Sequence, residues 1–135
     1  SLRPDDSIIP DRNKIGPYCP SNGCKTLKDL YTLEIALELA NKVISNYCRV
    51  PYVIINHLHR KKLDANREIG EAAQGNSYAE SAWNAFHTFI ADAQMDMHDR
   101  FGTVTGMTDL TGIRGMLLDV HGYTGYDFDP DNGSP

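Results

Sequence analysis

Two short apolar runs, each followed at once by polar residues, alternate with long amphipathic patterns. This order predicts an α/β protein, with helices packed on a sheet. The runs are Tyr52-Val53-Ile54-Ile55-Asn56 and Gly115-Met116-Leu117-Leu118-Asp119-Val120. Two strands cannot cover two large amphipathic helices, so the sheet is expected to be incomplete within this chain. Its missing strands would come from a neighbouring segment, a second copy or a complementary chain.

The elements are taken in chain order. Residues 1–25 are rich in proline and glycine, lack periodicity, and read as an irregular arm of the kind that drapes over a site. Thr26 can cap a helix in which Leu30, Leu33, Leu37, Ala40, Ile44 and Tyr47 recur at three- and four-residue steps. Val50-Pro51 ends it. The first buried strand then runs into Asn56-His57, where polar residues begin; in α/β sheets a site often starts at such a strand end. Residues 57–76 form a polar connection. Ser77 and Glu80 make a capping box for a second helix, with Ala79, Ala82, Trp83, Phe86, Phe89, Ile90, Ala93, Met97 and Phe101 as its core stripe. Gly102 stops that helix. The second strand ends at His121, and the tail from Thr124 is a Gly/Asp/Pro-rich loop. The whole of 1–135 reads as one domain.

Composition bounds the function. The 135 residues include 41% hydrophobic and 23% charged residues, with a net charge of −5. That is ordinary for a globular protein, and offers no basic run for nucleic acid and no apolar run long enough for a membrane. The N-terminus is not a signal peptide; either there was none or it has been removed. Cys19 and Cys24 bracket the turn-forming Pro20-Ser21-Asn22-Gly23. A short disulfide fits there and would point to secretion, with two free thiols as the alternative. Cys48 reads as a buried small hydrophobe. Asn132-Gly133-Ser134 is a glycosylation sequon, weakened by Pro135.

Two constellations carry chemistry. Arg60-Lys61-Lys62-Leu63-Asp64-Ala65-Asn66-Arg67 follows the first strand. Arginine presents a planar fork matched to carboxylate, asparagine adds an amide donor, and Asp64 can hold one arginine in place. The cluster suits a grip on an anionic ligand; a solvated charged loop is the alternative. The second is Asp119-Val120-His121-Gly122-Tyr123. His121 falls at a strand end with Asp119 on its own side, so it could be a metal ligand oriented by a carboxylate, or a histidine satisfied locally. His57 and His59 read as non-ligands, and His87 and His98 as structural. No phosphate loop, dinucleotide motif, nucleophile elbow or His-Glu-x-x-His is present.

The succession Pro51-Tyr52-Val53-Ile54-Ile55-Asn56, Arg60-x-x-x-Asp64-x-Asn66-Arg67, an amphipathic helix, then Leu118-Asp119-Val120-His121-Gly122 resembles the N-formylglutamate amidohydrolase family over residues 26–123. The arm Leu2-Arg3-Pro4 to Ile9-Pro10-Asp11-Arg12 is similar to the stretch after a Pro-His-Gly-Gly segment in relatives. The resemblance implies a three-layer α/β/α, zinc carboxypeptidase-like fold around a mixed or parallel sheet, one zinc ion, and hydrolysis of an amide bond next to a free carboxylate. It places His121 as a zinc ligand and Asn66 with Arg67 as the clamp on the substrate carboxylate. Arg60 would stabilise the substrate anion or the oxyanion of the tetrahedral intermediate. It also implies that the first zinc histidine precedes Ser1. No glutamate follows Glu80, so the late general base has no match, and the domain is expected to be partial.

The expected function is therefore a zinc-dependent hydrolase acting on an N-acyl amino acid or a peptide C-terminus. The alternative is a catalytically inactive, secreted, structural or self-assembling protein that reuses the fold. A carboxylate-binding module that keeps the clamp without catalysis is a third reading.

Overall fold

The computed structural model describes residues 6–27, 29–101 and 115–121. They contain a 3-10 turn at Asp6–Ile8 and three helices: α1 (Thr32–Tyr47), α2 (Ile69–Ala73) and α3 (Ser77–Phe101). The expected α/β/α sheet is overturned. Among the described residues the regular structure is helical and there is no strand. Residues 52–56 and 115–120 have the composition of strands but lie irregular, without ladder partners. A strand exists only where its N–H and C=O groups meet another backbone, and apolar composition does not supply that backbone. The two runs are not buried strands either: Tyr52 is 53% exposed, Val53 41%, Met116 72% and Leu117 63%.

α1 forms where the periodicity predicts a helix, but later than expected. Thr26 does not cap it; the residue before the first turn is Tyr31, in the left-handed region with φ 61°, making no side-chain cap. The helix ends at Tyr47, before Val50-Pro51 is reached. Cys48 turns left-handed (φ 52°) and its N–H donates to the Ile44 carbonyl, a common helix terminus. Ala40 is the helix's buried residue, while Leu33, Leu37, Ile44 and Tyr47 stay exposed. Amphipathic spacing thus specified the helix and not what it packs on. Cys48, expected inside, is a free and exposed thiol.

α3 starts one residue off the expected cap. Asn76, not Ser77, caps it: its Oδ1 accepts the Ala79 N–H at 3.0 Å, and its carbonyl accepts the Glu80 N–H. Only the first turns of the predicted stripe reach the core, where Ala79 is fully buried and Ala82 and Trp83 pack against it. Phe89 is 61% exposed. Gly102 and the tail from Thr124, including the sequon, lie outside the described residues.

The core is small and sits between the arm, residues 58–63, α2 and the start of α3. Its members are Ile9, Leu58, Leu63, Ala72, Ala73 and Ala79. Residues 9–25 of the arm form no regular helix or strand, yet are firmly seated. Ile9 is 1% exposed, and a Cys19–Cys24 disulfide closes the turn with Cα atoms 5.0 Å apart. Gly23 sits in that turn at φ 83°, a conformation costly for any residue with a Cβ. Gln74, just past α2, grips the arm reciprocally. Its Oε1 accepts the Asn13 N–H at 2.7 Å, and its Nε2 donates to the Asn13 carbonyl at 2.9 Å. The same Nε2 lies 3.5 Å from each disulfide sulfur. The arm is thereby fastened to the segment that carries the charged loop.

Candidate functional site: a charged loop facing a histidine

The loop of residues 60–67 is built around Asp64. The Arg67 N–H donates to the Asp64 carbonyl at 3.1 Å, closing a turn, and the Asn66 N–H reaches Asp64 Oδ1 at 3.3 Å. The Asp64 N–H donates to the Ala72 carbonyl at 3.3 Å, which docks the loop on α2. Asp64 Oδ2 takes Arg60 Nε at 2.8 Å. With its side chain only 4% exposed, Asp64 is a buried carboxylate satisfied by backbone and arginine donors. It holds Arg60 as the sequence suggested.

α3 supports the same loop from beneath. Trp83 Nε1 donates to the Arg67 carbonyl at 2.9 Å, and His87 Nε2 lies 3.0 Å from the Ala65 carbonyl. The two side chains are one helical turn apart and their rings lie 3.9 Å between centroids. Arg67 stands at the edge, partly exposed, with Nε 3.4 Å from Glu71 of α2. Its Nη1 donates to the Asn66 carbonyl.

His121 comes to this loop from 55 residues away. Its Nε2 is 3.3 Å from Asn66 Nδ2 and 2.9 Å from Asp119 Oδ2. Its Nδ1 is 3.2 Å from Asp29 Oδ2. Hydrogen bonds to Asp119 first, then Asp29, hold the imidazole pKa above its usual 6.5, against a smaller desolvation effect. Asp29 also meets Arg60 Nη1 at 3.5 Å. Arg60, Asp64, Asn66, Arg67, Asp119 and His121 are therefore gathered in one place, with Asp29 joining its two halves. Neither His57 nor His59 is brought into this group. His59 Nδ1 accepts the Lys61 N–H at 3.1 Å.

Asp29, Glu71, Trp83 and His87 contact these residues but stand in none of the sequence motifs, and Arg12 stands only in the arm stretch of the resemblance, with no role assigned there. Trp83 and His87 carried one signal, their four-residue spacing on a helix face. Arg12 and Asp29 lie far in sequence from the residues they touch, and no spacing rule connects them. Glu71 stands four residues from Arg67, but in a stretch that read as polar connection and not as helix.

The resemblance implies a zinc ion with His121 among its ligands. A catalytic zinc takes three protein ligands converging on one point. Among the described residues no group of three or more His, Cys, Asp or Glu side chains is placed to hold a metal ion. Asp29 and Asp119 do flank His121, but on opposite ring nitrogens, so they face away from any common centre. The described residues do not by themselves fit the ion. What they do bring together is the Arg60 and Arg67 guanidinium groups and the Asn66 amide, with buried Asp64 holding Arg60 and half-buried Glu71 beside Arg67.

Comparison of the chain with family models, characterised proteins and solved structures finds no match. Among the described residues no helix is long and apolar enough to cross a membrane.

Proposed function

We propose that this chain carries the substrate-carboxylate clamp of an amide hydrolase of the N-formylglutamate amidohydrolase kind. The ligand is an N-acyl amino acid or a peptide C-terminus. Asn66 and Arg67 grip the free carboxylate, and Arg60, braced by Asp64, lies beside the acyl group. The observation that supports this most is the approach of His121 Nε2 to Asn66 Nδ2 at 3.3 Å, which puts the Asp119-Val120-His121 segment against the Asp64–Arg67 turn. These are the two halves of the resemblance, and a solvated charged loop has no reason to meet them. The residues of this chain bind and orient. The disulfide is compatible with an extracellular setting, which we include in the reading.

Calorimetric titration with N-formyl-L-glutamate tests the clamp. Arg67→Ala is expected to weaken binding by at least about tenfold, the loss of a charge-assisted pair. Equal affinity in variant and parent refutes the assignment.

A second reading, a non-catalytic secreted protein that associates with copies of itself, draws on the apolar side chains of α1. Leu37 is 44% exposed, Ile35 54% and Tyr47 71%. Sedimentation equilibrium decides it: a monomer at high concentration excludes it.

A further inference from the structure

We propose that Arg12, in the arm, is a positioning residue of the anion site and sets the placement of both Arg60 and Arg67. The inference deepens the function proposed above and rests on it for the ligand; the geometry stands independently.

Arg12 is the most enclosed cation in the described chain, its side chain 1% exposed. Its guanidinium is bound on all three nitrogens. Nε and Nη2 both donate to the Glu71 carbonyl, at 3.1 and 2.9 Å. Nη1 donates to the carbonyls of Lys25 and Arg60, each at 3.0 Å. The Arg12 backbone N–H donates to the Lys61 carbonyl at 2.6 Å. The guanidinium also lies 3.8 Å from Asp64 Oδ2 and 4.0 Å from Glu71 Oε1.

Those two carboxylates are the ones that aim the clamp. Asp64 holds Arg60 Nε, and Glu71 lies against Arg67 Nε. An unbroken chain of opposite charges therefore runs Arg60, Asp64, Arg12, Glu71, Arg67, with Arg12 at its centre. Without Arg12, Asp64 and Glu71 face only the two outer arginines. The carbonyls of Arg60, where the loop begins, and of Glu71, within α2, lose these donors. A lysine keeps the charge but has no planar fork, so it cannot reach three chain segments at once. Burial draws the Arg12 pKa down and the neighbouring carboxylates draw it up, as expected for a cation enclosed for structural reasons.

The test follows the Nε–Hε signals of Arg60 and Arg67 by nitrogen relaxation in the labelled full chain, alongside titration with N-formyl-L-glutamate. In Arg12→Lys both signals are expected to become mobile, and affinity to fall about tenfold or more. Ile9→Val is the control: it trims the core beneath the same arm, takes no part in Arg12's hydrogen bonds or ion pairs, and is expected to leave both readouts near parent values. If Arg60 and Arg67 stay as ordered in Arg12→Lys as in Ile9→Val, the proposal is overturned. If Arg67→Ala leaves binding unchanged, the proposed function fails while the relaxation data still decide the role of Arg12. Should Arg12→Lys not fold, Glu71→Gln keeps the carbonyl contacts of Arg12 and is expected to free Arg67 alone; an unmoved Arg67 signal then overturns the chain of charges.

Discussion

Trp83 holds Arg67 by its backbone: the indole N–H donates to the Arg67 carbonyl at 2.9 Å. The contact makes α3 a floor for the charged loop. Trp83→Phe keeps most of the apolar surface and removes only the donor. We expect a stability loss of about 1 kcal/mol by urea unfolding, the usual net value of one hydrogen bond. The Arg67 amide should exchange faster with solvent. A Trp83→Phe protein with parental exchange at residues 65–67 would show that α3 does not restrain the loop.

Asp64 is the pivot of the charged network, and its removal should be costly. Asp64→Ala removes the Nε partner of Arg60 and one of the two carboxylates beside Arg12 at once. Breaking a buried pair typically costs about 3–5 kcal/mol, so the variant is expected to unfold at much lower urea or not to fold. Asp119→Ala removes an exposed carboxylate from His121 and should change stability little. A small effect of Asp64→Ala would mean that the loop is held by its neighbours alone.

The disulfide closes a short loop, with a sequence separation of 5. Loop-entropy arithmetic gives about 2 kcal/mol for such a crosslink. Reduction, or the pair Cys19→Ser and Cys24→Ser, is expected to lower stability by that amount. The loss should appear first as exchange in the arm, since Gln74 holds Asn13 and lies beside both sulfurs. Uniform loosening across α3 instead would place the disulfide's effect elsewhere.

Tyr52 and Asp96 join the apolar run at residues 52–56 to α3 through a phenol-to-carboxylate hydrogen bond. That bond raises the Tyr52 pKa above 10.0. It also lowers the Asp96 pKa below 3.8, helped by Arg100. The tie is thus fully present between these values. It fades as pH rises through the folded Tyr52 pKa and as pH falls through the folded Asp96 pKa. Phenolate absorbance should show one late-titrating tyrosine, absent in Tyr52→Phe. Its persistence in that variant would assign the signal to another tyrosine.

The local contacts of the candidate site were partly legible in the sequence, and little of the fold was. Arg60, Asp64, Asn66 and Arg67 lie within eight residues, so short-range geometry already limits how they can meet, and Asp64 does hold Arg60. The Asp119–His121 pair was legible for the same reason. The sheet was not there to be read. Residues 52–56 and 115–120 have strand composition, but pairing is a relation between segments, and short apolar runs do not disclose a partner. α1 makes the same point for helices: its spacing identified the element, while Leu37 and Ile44 remain exposed. The contacts of Arg12 and Asp29 were not legible, because they join residues from 13 to 92 positions apart and no local spacing connects them.

Ala72 and Ala73 of α2 and Ala79 of α3 meet in the core at 0%, 3% and 0% exposure. The Ala72 carbonyl is also the acceptor for Asp64. This has a consequence for how the protein can vary over generations. Any side chain larger than a methyl at 72 or 79 would wedge the short helix outward and carry the Asp64 acceptor with it. Charged residues on the loop other than buried Asp64 could be exchanged one at a time and reselected, but these alanines admit no intermediate step. The positions with least freedom to drift are therefore among the plainest in the chain, and a lineage that kept them would keep its loop in place even as its surface was rewritten.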